Sequence, residues 1–285
     1  MKRFFALSAA MLVLGTAFLN AGGSSEKAGS PAKVRKVVVG TGNDMNDFCF
    51  LDAKGNLVGL ELDILSTVDE LLPQYEFSFE GGEFRTILVG VDAGKYDIAA
   101  HNYAKNAERQ EKYLYGAEPY LHYAYQLAIK AGRNDINSIQ DMEGKTLSTT
   151  AGNNISYHFE TYNATTAKVP VQLAYGALDT ETQIKALEEG RIDAFVLEIR
   201  NFDKIRKTYN NRIQAAGPEF LPGYVYYIFA KGDTQLRDDV DKALITLREN
   251  GKLRELSLKW LGRDFTTFVP ELEAERQGQV RTLTK

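Results

Sequence analysis

From Val34 onward, short apolar runs alternate with helix-patterned stretches, and this restricts the chain to a mostly parallel sheet layered with helices. Val37-Val38-Val39 reads as a buried strand running into the loop Gly40-Thr41-Gly42. Asp52-Ala53-Lys54-Gly55-Asn56 is turn chemistry within a hairpin-like excursion. Leu62, Leu65, Val68 and Leu72 fall on one helical face, and Pro73 stops that helix. Tyr75 to Phe79 alternates as a strand, Phe84, Ile87, Leu88 and Val91 mark a second helix ended by Gly94, and Tyr96 to Ala100 is the next strand. The order is β-α-β-α-β.

The same grammar then recurs. Tyr123–Lys130 and Thr146–Thr149 read as strands, and Gly152-Asn153-Asn154 opens a helix at Ile155. Val169–Leu173 is a strand, Asp179 caps a helix that Gly190 stops, and Ala194–Leu197 is a strand ending at Glu198. A final strand, Tyr224–Phe229, precedes helices Gln235–Asn250 and Lys252–Leu261. No second-lobe strand remains for these helices to cover, so they are expected to pack on the first lobe. The expected fold is α/β, with two α/β domains joined by two crossings near 120–125 and 223–226. The expected boundaries are residues 35–122 with 226–267 for the first lobe and 123–225 for the second. Residues 268–285 read as a loosely held tail. Two crossings make a hinge, and ligands in such sheets sit beyond the carboxyl ends of the strands.

The N-terminus constrains location. Lys2 and Arg3 precede an apolar run, Phe4 to Leu19, and small residues follow through Asn20-Ala21-Gly22-Gly23. This is the pattern of a cleavable secretory signal over residues 1–21, with residues 22–34 as a flexible linker. The run is shorter than the roughly 20 residues of a membrane span, although a retained anchor is the competing reading. Export to the periplasm is expected. The chain has 285 residues, 44% hydrophobic and 25% charged, and a net charge of −4. An acidic chain has no general attraction for nucleic acid or anionic membrane. Cys49 is the single cysteine, so no intramolecular disulfide can form, and Phe48 and Phe50 beside it favour a buried thiol over a reactive one. The three histidines lack metal-site spacing, and no cofactor or metal is expected.

Several polar residues fall at strand ends, where a cleft belongs. His101, Asn102, Tyr103, Ala104 and Arg109 follow one strand; Gly152, Asn153 and Asn154 open a helix after another; Glu198 follows a third. One cation, one anion and one helix N-terminus suit an α-amino acid. Its carboxylate fits an arginine fork or the free N–H groups of a helix start, and its ammonium needs a carboxylate. Both charges must be met, because an unpaired buried charge is costly. The competing reading of Arg109 and Glu198 is two solvated surface charges. Tyr103 fits either a cleft wall or the core.

The ordered motifs resemble the polar amino-acid-binding family of extracellular solute-binding proteins of ABC importers. Val58-Gly59-Leu60-Glu61-Leu62-Asp63 resembles the family's V-G-F-D-x-D, and Gly94-Lys95-Tyr96-Asp97 its G-K-x-D. Glu108-Arg109, Tyr115 and Pro119-Tyr120 resemble E-R…F…P-Y, Ile139 to Lys145 resembles I-x-D-L-x-G-K, and Gly190 to Ala194 resembles G-R-x-D-A. The resemblance runs from about Val37 to Gly262 and implies the two-lobe type II periplasmic-binding-protein fold. It implies that Arg109 takes the ligand carboxylate, with Asn153, Asn154 and Gly152 offering contacts from the second lobe. It implies that Glu198 and the backbone of Asn102 take the ammonium. Met45 and Phe84 would wall the side-chain pocket, and Thr150 would tune preference.

The chain departs from the family at Asn102 (usually Gly), Ala104 (usually Thr), Asn153 (usually Thr) and Glu198 (usually Asp). The stretch Ala100 to Arg109 is similar to the subgroup that imports cystine and related sulfur amino acids. The implied partners are an amino acid and a membrane permease, with the protein itself a monomer. A rival reading is an exported enzyme on the same scaffold, a lyase resembling cyclohexadienyl dehydratase, with Glu198 as general acid. A receptor sensor module is the third.

Overall fold

The computed structural model describes residues 34–105, 107–176 and 178–273. The expected leader, the linker through residue 33 and the tail beyond residue 273 lie outside the described residues. The first run of elements is β1 (Arg35–Thr41), β2 (Asp44–Met45), β3 (Cys49–Leu51), β4 (Leu57–Val58), α1 (Leu60–Leu71), β5 (Tyr75–Gly81) and α2 (Phe84–Asp92). Next come β6 (Ile98–Ala104), α3 (Ala107–Lys112), β7 (Leu114–Tyr115) and β8 (Leu121–Lys130). The second run is β9 (Thr146–Thr149), α4 (Asn154–Thr165), β10 (Gln172–Tyr175), α5 (Thr180–Glu188), β11 (Ala194–Glu198) and α6 (Ile199–Thr208). The chain closes with β12 (Ile213–Phe229), α7 (Thr234–Glu249) and α8 (Lys252–Leu261).

One sheet runs β10-β9-β11-β8-β12-β6-β1-β5, with β7 paired to β12. β1 lies parallel to β5 and β6, and β9 lies parallel to β10 and β11. The two parallel groups are joined by antiparallel pairing of β8 and β12, which includes Tyr123 opposite Gly223 and Leu121 opposite Val225. A small antiparallel sheet, β2-β3-β4, stands beside the main one.

The core follows from the amphipathic spacing. Leu60, Ile64, Leu65 and Val68 of α1 are buried together with Leu236, Val240 and Leu244 of α7 and Leu253 of α8. The two C-terminal helices thus close the N-terminal core. On the other side, Leu127, Leu147, Ile155, Phe159, Ala194 and Phe220 form a separate cluster, and Ile184, Phe195 and Phe202 form another. Cys49 is fully buried, and burial pushes its thiol pKa well up, with Glu61 adding to the effect. Such a thiol packs as a small apolar group.

The structure differs from the sequence reading in several places. β6 begins at Ile98 and continues to Ala104, so His101 to Ala104 belong to the strand rather than the loop after it. β10 begins at Gln172, because Pro170 has no N–H to give a ladder and the Asn163 side chain takes both the N–H and the carbonyl of Val171 at 2.8 Å. α6 and the first half of β12 went unread. Gly217, Pro218, Pro222 and Gly223 disfavour a regular strand, but β12 absorbs them as two register shifts against β8. Finally, residues 268–273 are anchored: Leu272 is fully buried, and the Val269 N–H donates to the Tyr224 hydroxyl at 2.6 Å.

His158 shows how this packing couples to pH. Its ring stacks on Phe220 and meets the edge of Phe159, with centroids 5.4 Å away in each case. Burial holds its pKa below the ordinary value, and burial does the same at His122 against the opposing hydrogen bond to the Thr267 carbonyl. Both rings are neutral in the folded state where the unfolded chain would already take up protons. Stability is therefore complete above about pH 6.5 and is lost as the pH falls through the lowered folded values. Urea midpoints at about pH 7.5 and about pH 5.5 should show this loss. His158→Phe keeps the ring stack, cannot titrate, and should reduce the loss.

Candidate functional site

The site lies at the carboxyl ends of β6 and β11, where the two parallel groups face one another across β8 and β12. A hollow of about 340 Å³ opens there. It is lined by Met45, Phe84, His101, Asn102, Ala104, Arg109, Tyr123, Tyr125, Asn154, Glu198, Arg200 and Val225. The size sits at the lower end of the roughly 300–1,000 Å³ typical of small-molecule pockets. Arg109 and Glu198 share this hollow, one just beyond β6 and the other ending β11.

The guanidinium of Arg109 reaches the Ala104 carbonyl at 3.4 Å and lies over the rings of Tyr103 and Phe84, at 5.5 and 5.8 Å from their centroids. The Tyr115 hydroxyl donates to the same carbonyl at 3.0 Å. Burial raises the Tyr115 pKa to about 12 against the opposing pull of Arg109. Tyr103 is 1% exposed, so it is core, and its ring face supports the arginine. Phe84 stacks on Tyr103 with centroids 5.3 Å apart and meets the His101 ring edge-on.

Opposite stands a cation that sequence reasoning missed. Arg200 has a side chain only 2% exposed. Its Nε donates to Glu198 Oε1, and its Nη1 donates to Asn102 Oδ1 at 2.6 Å. Its plane lies over Phe48 at 4.7 Å and Tyr123 at 5.8 Å from the centroids. Burial pulls the Arg200 pKa down, but Glu198, with help from Tyr120 and Glu61, more than offsets this, and the net direction is up. Glu198 is the N-cap of α6, yet its side chain makes no cap bond; the carboxylate is turned to Arg200 instead. The signal for α6 was present in the apolar spacing Ile199, Phe202, Ile205. An arginine two places after Glu198, at the first turn of such a helix, was the clue to the pair.

Asn102 interrupts β6. Its φ is +51°, in the left-handed region that asparagine tolerates better than most residues. Five residues of β6, from Ala99 to Tyr103, lie opposite three of β12, from Ile228 to Tyr226. This is a bulge, a device that re-aims groups beside a site. Glu61, fully buried on α1, holds the bulge: its Oε1 accepts the Asn102 N–H at 2.8 Å and also the Tyr120 hydroxyl. α1 can deliver Glu61 because Gly59 has φ +142°, and a Cβ there would stand 2.1 Å from the Phe48 carbonyl oxygen. Leu60 N–H and Glu61 N–H then donate to the carbonyls of Asp47 and Phe48.

Of the residues picked from the sequence, Met45, Phe84, Asn102, Ala104, Arg109, Asn154 and Glu198 line the hollow, whereas Thr150, Gly152 and Asn153 do not. Asn153 caps α4 by accepting the Ser156 N–H at 2.7 Å, and Thr150 donates to the Gly176 carbonyl at 3.4 Å.

Residues 37–263 match the model of the bacterial extracellular solute-binding proteins, family 3. The chain belongs to this family. The L-cystine-binding protein TcyJ of Bacillus subtilis is 34% identical over 250 residues, which covers 88% of this chain and 93% of the relative. The L-cystine-binding protein TcyK of the same organism is 33% identical over 270 residues, covering 93% and 98%. Among solved structures, the probable amino-acid ABC transporter extracellular-binding protein ytmK of Bacillus subtilis is 33% identical with a TM-score of 0.72, covering 81% of this chain and 99% of that one. The fold of this solute-binding protein is the two-lobe type II periplasmic-binding-protein fold.

Breaking the Arg200–Glu198 pair from the arginine side strands a partly buried carboxylate and the Asn102 amide. Arg200→Met should cost about 3 kcal/mol, the lower end for a buried pair because Glu198 retains some water contact. Urea denaturation measures it.

Proposed function

We propose that this solute-binding protein captures one α-amino acid in the hollow, L-cystine or a related sulfur amino acid, and presents it to the membrane permease of an ABC importer. The carrying observation is that Arg109 and Glu198, from different ends of the sheet, line one hollow. The arginine fork suits the α-carboxylate, and the glutamate, already a hydrogen-bond acceptor toward Arg200, suits the α-ammonium. Each partner answers a charge that would be costly to bury alone. Met45, Phe84, Tyr123 and Tyr125 supply apolar and aromatic wall for a sulfur-containing side chain.

The names of the relatives TcyJ and TcyK, both L-cystine-binding proteins, support this ligand class. Closure of the two lobes about β8 and β12 is the motion we assign to capture, since hinge closure is common to periplasmic binding proteins. A ligand that bridges both lobes favours the closed form through contacts the open form lacks. Residues 35–122 with 226–267, and 123–225, are the lobes in this reading, and the protein acts as a monomer outside the cytoplasmic membrane, in the periplasm, after loss of its leader. It returns its ligand unaltered; incubation followed by mass spectrometry separates this from the lyase reading.

A thermal-shift screen of the proteinogenic amino acids and cystine tests the proposal. A ligand at a hundred times its Kd adds about 2.7 kcal/mol and raises the Tm. A flat screen overturns the reading. Arg109→Ala should weaken the ligand found by about 2–5 kcal/mol in calorimetry, the loss expected when one member of a buried charge pair is removed.

A further inference from the structure

Two groups face the position of the ammonium in the proposed reading, Glu198 on the β11 side and Asn102 on the β6 side. They approach one another only through Arg200. A buried cation has to be met by acceptors, and Arg200 meets two at once: Glu198 through Nε and the Asn102 side chain through Nη1 at 2.6 Å. With the lobes together the guanidinium is held to both, because it is planar, its side chain is 2% exposed, and Phe48 lies against its face. Asn102 is pinned a second time through its backbone, by Glu61. In the closed form the strand bulge of the first lobe and the carboxylate of the second are therefore set in relation by one planar fork.

We propose that Arg200 is the positioning residue for ammonium recognition, holding the Glu198 carboxylate and the Asn102 bulge at the separation an α-ammonium requires. The proposal rests on the reading of the hollow as an amino-acid site. Arg200 does not itself contact the ammonium; like charges exclude that. It acts through its two acceptors and sets how strongly the protein prefers a ligand with an α-ammonium over one without. Lysine cannot replace it, since a single ammonium on a flexible stem lacks the fork.

The test compares L-cystine with 3,3′-dithiodipropionate, which keeps the disulfide and both carboxylates but has no ammonium. Affinities are measured by calorimetry and competition for the wild type, Arg200→Lys and Asn102→Gly. The glycine variant removes the acceptor of Arg200 while permitting the left-handed φ. The wild type should prefer L-cystine. Arg200→Lys should weaken L-cystine by about tenfold or more, the scale of a lost charge-assisted hydrogen bond, and leave dithiodipropionate within about twofold. Asn102→Gly should shift the preference in the same direction, and it stands alone as the test should Arg200→Lys fail to fold. Equal losses for both compounds would overturn the proposal, because a merely structural arginine, or one that binds carboxylate, lowers both. An unchanged preference in Asn102→Gly would overturn it as well. Failure of the wild type to bind L-cystine would instead remove the ligand reading on which the proposal stands.

Discussion

Burial of the Arg200 guanidinium is the constraint around which the ligand wall is organised. A cation at 2% side-chain exposure is stable only with acceptors close by. Those acceptors are Glu198, which would otherwise cap α6, and the Asn102 amide on a bulge of β6. Phe48 and Tyr123 cover the faces of the guanidinium. Glu61 completes the chain of contacts by bonding the Asn102 N–H and the Tyr120 hydroxyl. Residues from α1, β6, β11 and α6 are thereby brought together beside one hollow.

The sheet topology makes this meeting possible. Parallel strands send their carboxyl ends to the same edge, and open α/β sheets place ligands there. β6 and β11 belong to different parallel groups, and only the antiparallel β8 and β12 between them bring their ends together. The long pairing of β8 with β12 gives the two groups a shared seam. Arg109 is held differently from Arg200: it lies on aromatic faces and on a carbonyl shared with Tyr115. The two arginines thus divide the roles in the proposed reading, Arg109 toward ligand and Arg200 toward protein.

Much of this was legible from local pattern. The positions of α1 and α2 followed from apolar spacing, and that of α5 from its cap at Asp179 and its stop at Gly190. Arg109 and Glu198 could be chosen because strand ends locate a cleft before any coordinates exist. Other parts were hidden. The first half of β12 carries two glycines and two prolines, which disfavour a strand locally, and only pairing with β8 makes it one. The bulge at Asn102 depends on a hydrogen bond to Glu61, 41 positions away. Arg200 could not be picked out, since nothing near it in sequence reveals that Asn102 and Phe48 close over it.

The sequence by itself determined the α/β layering, the repeated β-α order and the charges available at strand ends, because these arise from interactions between residues a few positions apart. Tertiary structure alone decided which charges are buried, which carboxylate faces which arginine, and where β6 leaves its regular path. Those outcomes depend on desolvation and on partners brought together by folding, and a buried ion pair is recognisable only when both of its members have been placed.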